Sequence, residues 1–386
     1  MRFPRCFVLA LSLALLWSIT AATLPAQEAK PAGASDLAAN AAIQYWQAFS
    51  QMPTLDKDQE KIVAEWNKVS LDDPAVQKLI ADSQSSLMYL HRAARLERCD
   101  WGLDYSDGIG MLMPHLAKSR DLARLAALHA RQEFERGNKK GARADATAMM
   151  VLARHVGRDP VMITVLVRLL IEGLTVDVVA SYVPEMKAPH SQAVAMFEAL
   201  PPAPRVRQTI GAEKKLFVEW MIKKLKEEEQ QHKGAGLALW KNFLKGSDVP
   251  ESITQVATME EAIKLIEQVL PLYDEMAKLA ALPKDQFDAQ YPVFKEKAKA
   301  DYPLAGTILP AVDQLLVKEQ RGDARMAMLL AAVAVVESGP EKLTEIKDPF
   351  GDGPFEYKAL DQGFELKSKL LFEGQPVTLV IGQRKK

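Results

Sequence analysis

The chain has 386 residues with 49 Lys and Arg against 50 Asp and Glu, a formal net charge of −1, which excludes the strongly basic footprint of a nucleic-acid-binding protein. A hydrophobic share of 48% excludes wholesale disorder, and the length suits two or three domains. Only two cysteines are present, Cys6 and Cys99, so apolar burial rather than a disulfide framework has to hold the fold.

Arg2 and Arg5 precede an apolar run at residues 7–19, and small residues follow at Ala21, Ala22 and Ala26. That is the three-part layout of a secretory signal peptide over residues 1–26. Cleavage after Ala22, cleavage after Ala26 and retention as an anchor are the open alternatives. The apolar core, about 13 residues, is short of the roughly 20 that a spanning helix needs. The expectation is an exported protein, periplasmic or extracellular, that does not span a membrane once the signal is removed. Cys6 would leave with the signal, and Cys99 reads as a buried, small apolar residue.

Residues 27–35 read as a flexible tether, and a first helical domain follows over 36–200. Ile43, Tyr45, Trp46 and Phe49 form an aromatic face; Ile62, Val63, Trp66 and Val69 follow with helical spacing. Asp73-Pro74 is a cap with proline at the first helical position and opens a long helix towards Arg98. Gly102, Gly108 and Gly110 make residues 99–110 a loop.

A helical hairpin is expected over 127–160, with its turn at Gly137-Asn138. After Asp159-Pro160 the run 161–179 is apolar nearly all round, as a central buried helix would be. Arg168 and Glu172 lie one turn apart on it and form an intrahelical pair. Ala130, Ala142, Ala146, Ala153 and Pro160 make the hairpin resemble a single tetratricopeptide (TPR) unit. The pattern does not recur, so an irregular helical domain is expected rather than a solenoid.

Prolines at 201, 202 and 204 mark a boundary over 201–204 before a second helical domain, 205–303. Its first helix, 205–233, carries Phe217, Trp220, Met221 and Leu225 on one side and the Glu227-Glu228-Glu229 run on a solvated face. Further helices are expected at 259–282, 285–300 and about 304–337. In the final module, 304–386, alternating or β-branched runs begin at Phe355, Phe364 and Val377, separated by Gly363 and Gly374. They predict a three-stranded antiparallel meander, which needs a helix to cover its apolar face. The fold class is therefore mainly α: irregular helical-hairpin, TPR-like domains with a small C-terminal antiparallel β-meander packed on a helix.

The segment Asp348-Pro349-Phe350-Gly351, followed by Pro354-Phe355-Glu356-Tyr357, resembles the Asp-Pro-aromatic-Gly…Pro-aromatic-x-Tyr segment of type II secretion major pseudopilins. In that family a helix leads into a short meander that carries a calcium site. The resemblance covers about 60 C-terminal residues and implies a pseudopilin-like module, with Asp348 or Asp352 as calcium ligands. The acid-rich loop of that family is missing after Gly374, and so is the prepilin start. Pilus assembly is therefore not implied, and a plain turn is the better account of Asp348. Over nearly the whole length, Tyr45-Trp46, Cys99-Asp100-Trp101-Gly102 and Asp121-Leu-Ala-Arg-Leu resemble a group of bacterial exported helical proteins to which no activity is assigned.

His-Glu-x-x-His, Cys-x-x-Cys, Gly-x-Ser-x-Gly, P-loop and Gly-x-Gly-x-x-Gly motifs are all missing, so no catalytic residue, metal ligand or cofactor is assigned. The six histidines, at 91, 115, 129, 155, 190 and 232, share no i, i+4 spacing and read as surface or helix-end positions. The 99–110 loop holds the candidate binding residues Trp101, Asp104, Tyr105 and Asp107. A nucleophile at Cys99 would need His115 as its base, because His91 would lie about 12 Å away along a helix. The leading expectation is an exported, non-enzymatic helical protein acting through protein–protein or cell-envelope contacts, with a protein partner in the envelope. An envelope hydrolase built around the 99–110 loop is one alternative. A secretion-apparatus accessory that uses the pseudopilin-like tail is the other.

Overall fold

The computed structural model describes residues 39–383, apart from 203 and 246–248. The signal peptide, the tether and the last three residues lie outside the described residues, as does one residue of the 201–204 boundary.

Short polar residues open the first helices. Asn40 caps α1 (Ala41–Ser50) by accepting the Ala42 N–H, and Asp56 and Gln59 form a capping box on α2 (Lys57–Ala64). Asp73 caps α3 (Pro74–Asp82), with Pro74 in the first turn. The single long helix expected from here is two. The Ser83 hydroxyl donates to the Leu79 carbonyl at 2.7 Å and the chain re-enters a helix as α4 (Gln84–Ala93). A serine that bonds its own backbone weakens helical continuity at that point.

The expected hairpin is formed by α5 (Pro114–Glu135) and α6 (Lys139–Val156). Gly137 makes the turn at φ +77°, a conformation costly for any residue with a Cβ. Ala127, Ala130, Ala142 and Ala153 are fully buried and let the two helices approach closely. Next comes α7 (Met162–Met186), the apolar helix anticipated as central. It serves three clusters of buried side chains. Ile171, Val178 and Tyr182 pack with α1–α6, Met162 and Val165 pack with residues of the 206–316 stretch, and Val176, Ala180 and Val183 pack against the C-terminal module. An all-round apolar surface is what a helix surrounded on every side requires.

A short helix, α8 (His190–Glu198), has no buried residue. The charged helix expected over 205–233 is α9 (Val206–Glu213), a π-helical stretch at Lys214–Glu219, and α10 (Trp220–Gln231). Two elements that hydrophobic patterning did not mark follow, α11 (Ala235–Phe243) and α12 (Glu251–Thr254). The segment 259–282 divides before Pro271 into α13 (Met259–Glu267) and α14 (Leu270–Ala280), and α15 (Lys284–Asp301) comes next. Pro310, which has no N–H to donate, separates α16 (Ala305–Ile308) from α17 (Val312–Ser338).

The tail is the expected meander. Strands β1 (Glu356–Ala359), β2 (Phe364–Phe372) and β3 (Gln375–Ile381) pair antiparallel in the order β1-β2-β3. Gly363, at φ +76°, sits so close to Ile381 that a Cβ would come within 1.8 Å of its carbonyl oxygen. Along β2, Phe364, Leu366, Ser368 and Leu370 are buried, and the apolar members of that face share a cluster with Met328 and Ala332 of α17. The chain is thus mainly α with a small antiparallel meander packed on a helix. Among the described residues no helix is long and apolar enough to cross a membrane.

Candidate functional site

The 99–110 loop is built as a packing element. Trp101 is only 5% exposed. Its indole N–H donates to the His155 carbonyl at 3.1 Å, and its ring stacks on His115 with centroids 4.4 Å apart. Asp104 is exposed and accepts the N–H and hydroxyl of Ser106, bonds that hold its carboxyl below the usual range. Tyr105 is 37% exposed and donates to Asp159; Asp107 is exposed. Trp220 of α10 clamps the loop, donating to the Ser106 carbonyl at 2.6 Å. Its ring covers Gly108, where φ is +52° and a Cβ would meet it at 2.1 Å.

Cys99 is buried, and burial first of all raises its thiol well above the ordinary value. A protonated thiol is a poor nucleophile.

Two histidines sit at helix ends, as expected, but in the interior and not at the surface. His115 and His155 are fully buried, and burial lowers each to about 4. The Tyr45 hydroxyl lies 3.0 Å from Nδ1 of His155, while neither ring nitrogen of His115 has a hydrogen-bond partner among the described residues. His91 and His129 meet on Asp145, which is fully buried: Nε2 of His91 is 2.7 Å from Oδ1, and Nδ1 of His129 is 2.7 Å from Oδ2. Burial alone would lower His129, but Asp145 and Glu133 together raise it. One signal for this trio was legible, since Asp145 shares the inward face of α6 with Ala142 and Met149. The chain's one Glu-x-x-His spacing, Glu229 and His232, serves a turn: Glu229 accepts the N–H groups of Gly234 at 2.8 Å and Gly236 at 3.1 Å. Among the described residues no group of three or more potential ligands is placed to hold a metal ion.

The pair Arg168–Glu172 belongs to something larger than an intrahelical contact. Glu172 also lies 3.0 Å from Nε of Arg154 on α6. Nη2 of Arg168 reaches Glu319 of α17 at 2.9 Å, and Glu319 in turn accepts the Val206 N–H and pairs with Arg205 at 3.2 Å. Arg205 then forks onto both oxygens of Asp323. Burial raises the Glu319 carboxyl more than its two arginines lower it.

Arg154, Arg168, Glu172, Arg205 and Asp323 of this network line a cavity of about 430 Å³. Phe197, Leu200 and Met326 also line an adjoining apolar chamber of about 120 Å³, between α6, α7, α8 and α17. Arg143, Thr147, Met150 and Arg154 form one stripe of α6 along this cleft. Its roof is α8, whose Met196 is 42% exposed. The volume falls within the range of small-molecule sites. Among the described residues no histidine, cysteine or serine lines it, and the hydroxyls of Thr147 and Thr175 are spent on backbone carbonyls of their own helices. Such a lining can hold a ligand.

Comparison with family models, with curated proteins and with solved structures finds no match for this chain.

Proposed function

We propose that this is an exported, non-enzymatic helical protein acting through contact with a component of the cell envelope, and that the cleft under α8 makes the contact. Export rests on the signal layout of residues 1–26. The observation that carries the binding role is the cleft itself: two adjoining cavities, one lined by charged side chains and one apolar, beside a helix with no buried residue. A roof that leaves its own apolar side chains half exposed gains burial when something fills the space beneath it. The hydrolase alternative is weaker, because the Cys99 thiol is buried and the loop around it is packed with aromatic rings.

A photo-cross-linking residue at position 196 on α8, compared with one at position 293 on α15, tests this in native envelope fractions. Val293 is 69% exposed and remote in sequence from every element of the cleft. Adducts at 196 that vanish when Ala193→Trp fills the cleft are expected. Equal labelling from both positions, indifferent to Ala193→Trp, would overturn the proposal.

A further inference from the structure

Building on that reading, we infer that the cleft holds a single-chain anionic amphiphile, its headgroup at Arg154 and Arg325 and its acyl chain in the apolar chamber beneath α8.

Unspent guanidinium donors, not net charge, select the headgroup. Five arginines and three carboxylates, Glu172, Glu198 and Asp323, face the cleft, and Glu319 and Asp177 also pair with those arginines. Arg168 and Arg205 are committed to Glu172, Glu319 and Asp323. Arg154 Nε lies 3.0 Å from Glu172 as an ion pair without hydrogen-bond geometry. Among the described residues its two Nη groups make no hydrogen bond, and Arg325 gives only Nη2, to Asp177. Arg143, at the other end of the chamber, has no partner among the described residues. A guanidinium carries five N–H donors in a fixed fork, so the donors left over suit a carboxylate or a phosphate.

The shape selects the tail. On α17 the lining runs from Gly322 to Val336, a span of about 20 Å at 1.5 Å per residue. The chamber is apolar along its length, with Met150, Val179, Met326 and Val333 on its walls. The chamber of about 120 Å³ has room for the terminal part of one alkyl chain and not for a helix, which is about 10 Å across. The walls are three helices whose backbone groups are bonded internally, so they offer no edge for an extended peptide to pair with. Phe197, stacked under the Arg154 guanidinium with 5.7 Å to the ring centre, stands where the polar end meets the apolar one. Each methylene that enters the chamber adds about 4-fold in affinity.

Calorimetric titration of the whole exported chain tests the inference, using palmitate, hexadecanol, acetate and two monoacyl phospholipids, lysophosphatidylglycerol and lysophosphatidylcholine. Saturable one-to-one binding of palmitate or lysophosphatidylglycerol is expected, with hexadecanol at least 10-fold weaker and acetate silent. Whichever of the two anionic probes binds tighter identifies a carboxylate or a phosphate headgroup. Arg325→Gln should weaken the anionic probes about 10-fold and leave hexadecanol unchanged. Ala193→Trp should abolish binding of all of them, and Met196→Glu, an exposed change at the mouth, should weaken the anions without touching the fold. Hexadecanol binding as tightly as palmitate, or palmitate binding that ignores both Ala193→Trp and Met196→Glu, would overturn the inference. If palmitate and lysophosphatidylglycerol fail while cross-links at position 196 persist, the ligand class is wrong and the binding role stands. If both fail, both are wrong.

Discussion

Arg168 and Glu319 stand 151 positions apart and form a 2.9 Å ion pair in the interior, with side chains 2% and 4% exposed. Through this pair α7, the helix that serves all three clusters of buried side chains, is tied to α17, the helix that carries the meander. Arg168 of this pair also lines the cleft's polar end, so the group that joins the two helices contributes to the electrostatics of the cavity. A buried ion pair contributes little over an apolar substitute when intact, yet is expensive to break from one side.

Arg168→Ala is therefore expected to cost about 3–5 kcal/mol, because Glu319 and Glu172 are left with less compensation in the interior. Arg325→Ala, which breaks the pair with the half-exposed Asp177, should cost no more than about 1 kcal/mol. Urea denaturation compares the two. Equal losses would show that the interior network does not bind α7 to α17 more strongly than a surface contact would.

The buried histidines make stability depend on acid. His115 and His155 have folded-state values near 4, below the ordinary 6.5, because burial disfavours their charged forms. As pH falls below about 6.5 the unfolded chain takes up protons that the folded chain does not. Their contribution is complete above 6.5 and is lost progressively towards pH 4, at up to about 3 kcal/mol per ring. His115→Phe, which keeps a ring stacked on Trp101, should remove its share. Thermal unfolding followed from pH 7 to pH 4.5 should fall less steeply in that variant, and an identical slope would exclude His115 as a source.

Glu213 works in the opposite direction. Its Oε1 accepts the N–H of Met162 at 2.6 Å, supplying the cap that the side chain of Val161 cannot give α7. Burial pushes the carboxyl up to about 7. Between pH 4.5 and 7 the unfolded chain releases a proton that the folded chain keeps, so stability falls as pH rises through that window. Glu213→Gln keeps an acceptor and removes the titration. It is expected to gain up to about 3 kcal/mol at pH 8 and almost nothing at pH 4.5. Because the histidine and Glu213 slopes oppose each other, the wild-type profile alone is flatter than either, and the two single variants are needed to expose them. A Glu213→Gln gain that is the same at both pH values would sink the assignment.

What was legible in the sequence was what is local. Periodicity marked most helices and the three strands, and Gly137 and Gly363 marked turns that only glycine makes comfortably. The helix breaks at Ser83 and before α17 are also local, a hydroxyl bonding backward and a proline with no donor, but neither disturbs the hydrophobic pattern. Trp101 misleads for a physical reason: an aromatic among aspartates looks like a contact residue, whereas the loop folds inward and spends it on His115 and Tyr45. The trio of Asp145, His91 and His129 and the cleft itself join residues from α4, α5 and α6 and from α6, α7, α8 and α17. No spacing along the chain encodes such meetings; only the packing of helices does.

Asp348 offers a test of the calcium expectation raised by the tail. It is fully buried. One oxygen accepts the Phe350 N–H at 3.0 Å and the other the Lys369 N–H at 2.7 Å, and the Ser368 hydroxyl lies within 3.0 Å of both. A carboxylate surrounded by donors is already satisfied, and a cation would have to displace backbone N–H groups that cannot coordinate it. Asp348→Ala should strand those donors and cost about 2–4 kcal/mol, since hydrogen bonds to a charged acceptor are the stronger kind. Millimolar calcium should leave the unfolding temperature of the wild-type chain unchanged. A rise on adding calcium that Asp348→Ala removes would restore the cation site and show that this carboxylate exchanges its donors for a metal.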